Sequence, residues 1–94
     1  MFIKELIGEA AVYEQLAEEA AELAKAASKC ARILRNENPT PVTWTEAHAN
    51  LIEEYTDVKV CGNELNLVVD MELYSSKTMR WQHRIEEKNR KKDI

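Results

Sequence analysis

Residues 11–34 read AVYEQLAEEAAELAKAASKCARIL, a run without glycine or proline and dominated by alanine, leucine, glutamate and lysine. These are strong helix formers, and summed over several turns their preference is decisive. Leu6, Ala10, Tyr13, Ala17, Ala20, Ala24, Ala27, Ala31 and Leu34 recur in steps of four and three, which keeps them on one side of a helix. The pattern predicts one long helix over Lys4–Arg35, with Gly8 as its weak point and the alanines allowing a partner helix to approach closely. Val12, Leu16, Leu23, Ala26, Cys30 and Ile33 form a second four-three series, and the position that would complete it is Glu19.

Beyond this helix, Asn36-Glu37-Asn38-Pro39-Thr40-Pro41 reads as a loop, because both prolines lack an N–H and push the preceding residue out of helical geometry. A second helix is expected from Trp44 to about Val69. Thr43 and Glu46 have capping-box spacing at its start. Ala47, Leu51, Val58, Cys61, Leu65 and Val68 repeat the four-three rhythm, and the vacancy between Leu51 and Val58 is filled by Glu54. Gly62 within it suggests a close helix crossing or a local irregularity. Asp70 is the expected N-cap of a third helix over about Glu72–Asn89, with Leu73, Met79, Trp81 and Ile85 available to pack and a frayed tail from Lys88 to Asp93.

The chain has 94 residues, which predicts a single domain over residues 1–94. The expected fold is all-α: a long antiparallel helical hairpin plus a third helix. Such a hairpin leaves apolar surface uncovered, so a four-helix-type bundle completed by oligomerisation, as a homodimer or homotetramer, is expected. A net charge of −4 argues against a nucleic-acid polymer as the main partner. No apolar run approaches the roughly 20 residues of a membrane span, and Glu5 and Glu9 interrupt any signal-like pattern, so a cytoplasmic location is expected. Cys30 and Cys61 lack zinc-type spacing and read as small core residues.

Glu19 and Glu54 therefore each stand where their own helix asks for an apolar side chain. A buried carboxylate without a partner is costly or becomes protonated. Each also has a second acid three residues on, Glu22 and Asp57, on the same helix face. Brought together on antiparallel helices, the two pairs would repel unless a cation lay between them. All-oxygen donors suit Mg2+ or Mn2+ rather than zinc or iron. Against this stands the commoner fate of acid pairs at helical spacing, a solvated face.

Glu18-Glu19-Ala20-Ala21-Glu22 followed by Glu54-Tyr55-Thr56-Asp57 resembles the EExxE…ExxD signature of the MazG-like, all-alpha nucleoside triphosphate pyrophosphohydrolases, over about Leu16 to Leu67. The resemblance implies Glu19, Glu22, Glu54 and Asp57 as metal ligands and Glu18 as the group that orients or deprotonates water. It also implies cleavage of a nucleoside triphosphate between its α and β phosphates. Phosphate would further need cations from the protein. Lys25, Lys29 and Arg32 follow the first motif, Lys77, Arg80 and Arg84 recur on the third helix, and Asn66 is a weaker candidate. Trp44, Tyr13, Tyr55 and Trp81 are candidates for base stacking. The alternative is a non-catalytic helical interaction or nucleotide-binding protein.

Overall fold

The computed structural model describes residues 2–37 and 41–92, and among these every regular element is a helix: α1 (Ile3–Ile7), α2 (Glu9–Arg35), α3 (Trp44–Glu64) and α4 (Met71–Lys92). The Asn38-Pro39-Thr40 part of the expected loop lies outside the described residues, as does Asp93 of the expected tail.

The long first helix is broken in two. Gly8 adopts φ 94° and ψ 149°, a conformation open essentially to glycine alone. The break folds α1 back, and the Lys4 backbone N–H donates to Glu64 Oε1 at 2.9 Å. That bond satisfies one donor that the first turn of α1 cannot satisfy within the helix.

The C-terminal ends of both hairpin helices are closed by left-handed asparagines. Asn36 has φ 53°, with the Glu37 N–H donating to the Arg32 carbonyl and the Asn36 N–H to Ile33. Asn66 has φ 58°, and the Leu67 N–H reaches the Gly62 carbonyl at 2.9 Å while the Asn66 N–H reaches Asn63. This is the Schellman pattern, which uses up carbonyls orphaned at a helix end. The second helix therefore stops at Glu64 and does not run on to Val69. Gly62 contributes its carbonyl to that stop. Open space surrounds its α-carbon, so the expected close crossing is absent there.

Two start signals work as the sequence suggests. Thr43 Oγ1 accepts from the Glu46 N–H at 3.2 Å, and Asp70 Oδ1 accepts from the Leu73 N–H at 2.9 Å. At the far end, α4 stays helical through Lys92 rather than fraying from Lys88. Arg90 pairs with Glu87 there, and Arg90, Lys91 and Lys92 sit in the last turn, where the helix dipole favours cations.

The core is the seam between α2 and α3. Val12, Ala26 and Cys30 of α2 face Ala47 and Cys61 of α3, and these five are the buried apolar residues among those described. Leu16, Leu23 and Ile33, with Leu51, Val58 and Leu65, are half-buried around them. Of the two α2 stripes it is thus the second that packs. The alanine stripe faces outward, Ala31 alone being half-buried. The physical reason is area: valine, leucine and isoleucine remove more apolar surface from water per residue than alanine does. Cys30 and Cys61 are buried and free, as small core residues.

α4 does not join this seam, and all of it is exposed except Glu87, which is half-buried. The chain is elongated, 58 × 40 × 18 Å, with a radius of gyration of 17.7 Å against about 12 Å for a compact chain of this length. No described helix is long and apolar enough to cross a membrane.

Candidate metal centre

The four-three register that buries Val12 and Cys30 also carries Glu19 to the inner side of α2, and the register of Ala47 and Cys61 carries Glu54 to the inner side of α3. Both are half-buried, as is Asp57 one turn on from Glu54. Antiparallel packing sets the two helices level at this point. Carboxylate oxygens of Glu19, Glu54 and Asp57 lie within 4.8 Å of one another. Among the described residues, none of the three is in an ion pair; the pairs formed are Lys25–Glu22, Arg35–Glu37 and Arg90–Glu87.

This crowding shows in the chemistry of Glu54. Desolvation, then the negative charges of Asp57, Glu19, Glu22 and Glu53, raise its pKa above the ordinary 4.5. The Cys61 thiol nearby is likewise raised, first by burial and then by Glu19 and Asp57, which disfavours the reactive thiolate.

Glu22 is exposed and outside the close group. It accepts from Lys25 Nζ at 3.4 Å, although its charge is still felt at Glu54. The convergence expected of four carboxylates is therefore, at close range, one of three. Glu18 is exposed, one residue and so about 100° around α2 from Glu19. Lys29 and Arg32 are half-buried farther along α2, beyond Lys25. Asn66 is exposed, and its left-handed backbone serves the α3 stop described above.

Lys77, Arg80 and Arg84 do share one exposed face of α4, at steps of three and four residues. Since α4 stands off the hairpin, the chain on its own does not bring that cationic row to the carboxylates. Tyr13, Tyr55 and Trp81 are exposed, and Trp44 stacks at 5.2 Å on His48. None of the four is a core residue.

Two neighbours of the carboxylates were not read from the sequence. Gln15 Nε2 donates to Glu19 Oε1 at 2.8 Å and so orients that carboxylate. Its signal was present, a partner four residues before Glu19 on the same helix. Glu64 lies at the end of a pocket of about 180 Å³ that Glu19, Asp57, Gln15, Val12 and Cys61 also line, with Ile3 and Ile7 of α1 closing it. No local pattern announces Glu64, because the partner it holds is 60 residues away.

The donor set fits a hard divalent cation: three carboxylates that, among the described residues, no lysine or arginine pairs with. Magnesium takes oxygen ligands at about 2.1 Å and usually keeps several waters, so a partial protein shell is its ordinary environment. No protein-family model, characterised protein or solved structure matches the chain.

Proposed function

We propose that this protein is a Mg2+-dependent nucleoside triphosphate pyrophosphohydrolase acting in the cytoplasm, with Mn2+ as an alternative metal. The observation that carries the reading is the meeting of Glu19, Glu54 and Asp57 across the α2–α3 seam without a cationic side chain among them. The EExxE…ExxD spacing lends the reaction class, hydrolysis of a (d)NTP to a monophosphate and pyrophosphate.

In this reading Glu19, Glu54 and Asp57 hold the ion, and Glu22 joins them by turning from Lys25. A bound divalent cation supplies neutralisation of phosphate charge and lowers the pKa of water. Gln15 fixes the Glu19 carboxylate through its amide. Glu18, exposed beside Glu19, takes the proton of the attacking water as an oxygen–phosphorus bond forms and the bridging oxygen leaves with pyrophosphate. Lys25, Lys29 and Arg32 on α2 and Lys77, Arg80 and Arg84 on α4 are the cations available to the phosphate chain, with Asn66 near the end of α3. The pocket of about 180 Å³ is smaller than the roughly 300 Å³ at which ligand pockets begin. The base must therefore lie outside that pocket.

The test is pyrophosphate release from a panel of nucleoside triphosphates with Mg2+ or Mn2+. Activity that requires metal and falls at least about a hundredfold in Glu19→Gln and Asp57→Asn supports the proposal. Inertness across the panel contradicts it. A second reading, a non-catalytic helical binding protein, is favoured by the small pocket and by the bare apolar surface of α4. It predicts no metal response and no pyrophosphate.

A further inference from the structure

α4 has the makings of a packed helix and nothing in its own chain to pack on. Met71, Tyr74, Trp81 and Ile85 fall on one side of it together with Thr78, and all are exposed, Trp81 by 65%. Beside that stripe runs a basic one, Lys77, Arg80, Arg84, Lys88 and Lys91, also at steps of three and four.

Charge says what should cover it. α4 carries seven basic and three acidic residues, a net +4, while residues 2–70 carry thirteen acidic and six basic, a net −7. The outer side of α2 presents the exposed alanine stripe with Glu14 and Glu18 along its edge. Large aromatic side chains on one element and a lane of alanines on the other are complementary in shape as well as in charge.

Area gives the same answer. A compact folded chain of 10.8 kDa exposes about 5,500 Å², whereas this one exposes 7879 Å². Covering half of that excess on each of two copies already reaches the roughly 2,000 Å² at which obligate homodimer interfaces begin. α4 and α3 are also matched in length, at 22 and 21 residues.

We propose that two copies exchange their α4 helices, the basic, aromatic α4 of each lying on the acidic, alanine-lined hairpin of the other about a two-fold axis. A basic amphipathic helix can also lie on an anionic bilayer. The −7 hairpin beside α4 would be repelled there, which favours a second copy as the occupant. The assignment rests on the surface of α4 and the outer face of the hairpin; because Glu18, Arg80 and Arg84 also serve the proposed hydrolysis, its test reads assembly and not pyrophosphate release.

Sedimentation equilibrium of the full chain, at micromolar concentration and low salt, tests it. The expected result is a dimer whose Kd rises with salt, and rises at least about tenfold in Trp81→Glu and in the double variant Arg80→Glu/Arg84→Glu. Circular dichroism should be unchanged, because these side chains are exposed in the single chain. Glu14→Arg/Glu18→Arg should weaken the dimer comparably. Mixing it with Arg80→Glu/Arg84→Glu should restore a heterodimer, since both swapped contacts then pair opposite charges. A monomer at all concentrations overturns the proposal. So does a dimer indifferent to the α4 variants, charge-reversed variants that fail to rescue each other, or a monomer that floats with phosphatidylserine vesicles.

Discussion

α3 and α4 are helices of nearly equal length joined by a few residues, yet α3 supplies two of the five buried core residues and α4 supplies none. The difference is not in helix formation. Each has a side-chain N-cap, Thr43 for one and Asp70 for the other, and each is helical throughout. It lies in what each helix presents to its neighbours. α3 offers a narrow seam of small and medium residues, Ala47, Leu51, Val58 and Cys61, that matches the Val12–Ile33 stripe of α2. α4 offers bulky aromatics flanked by cations, for which α2 and α3 leave no inner groove. Local signals make a helix; complementary surfaces decide where it goes.

The largest expected contrast between the two helices is a buried charge. Ala47→Asp places a carboxylate on the α2–α3 seam, where Ala47 is 3% exposed, and should cost several kcal/mol in urea unfolding. The same change at Ser76, exposed on α4 and away from its aromatic stripe, should cost less than about 1 kcal/mol beyond its helix propensity. Equal effects at the two sites would mean that α4 is packed within its own chain.

Next in size is the break that separates α1 from α2. Gly8→Ala forces a side chain into a backbone conformation open to glycine, costing about 1–3 kcal/mol. Open space around Gly8 means that sterics with neighbours add nothing. Hydrogen exchange should then show the Lys4 amide losing protection as α1 leaves Glu64, with the α2–α3 seam unaffected.

Asp70→Ala removes the cap of α4 and should cost about 1 kcal/mol. Its effect should appear as faster exchange at the Leu73 amide. The α3 amides should not change, because no core residue joins the two helices.

These sites also show how far the sequence could be read. The α2–α3 seam was legible because its apolar residues recur at helical spacing, and the two acids that interrupt that spacing marked the candidate centre without any knowledge of the fold. The Thr43 and Asp70 caps were legible because a cap is a local bond. Gly8 was visible as a weak point, but a positive φ leaves no mark in composition, so the break itself was not. The stop at Asn66 was missed because Leu65 and Val68 continue the apolar rhythm past the residue that ends the helix. Two stripes competed for the inner side of α2, and counting apolar positions could not choose between them where comparing their bulk could. Glu22 lay in register with the centre, yet register fixes a Cα and not which partner a flexible carboxylate takes, and Lys25 stood three residues away. The separation of α4 depends on surfaces that meet only in three dimensions.

A smaller effect concerns pH. Glu54 has a raised pKa in the folded state, so between its ordinary value of 4.5 and that raised value the native state binds more protons than the unfolded chain. Without metal, the stability contributed by the protonated form is present at the acid end and is lost as pH rises through the folded pKa. Metal binding has the opposite trend, because it needs the ionised carboxylate. Urea titrations across this range should show the slope in the wild type and a flatter profile in Glu54→Gln, with the α4 variants following the wild type.

The central claim is that the three carboxylates on the seam share one divalent ion. Thermal unfolding of the nucleotide-free protein with and without millimolar Mg2+ or Mn2+ tests it most directly, since an ion bound only by the folded state raises the melting temperature. The account predicts a rise in the wild type that disappears in Glu54→Gln and Asp57→Asn and persists in Glu53→Gln. Superimposable wild-type melts with and without metal, or an equal rise in all four proteins, would contradict it.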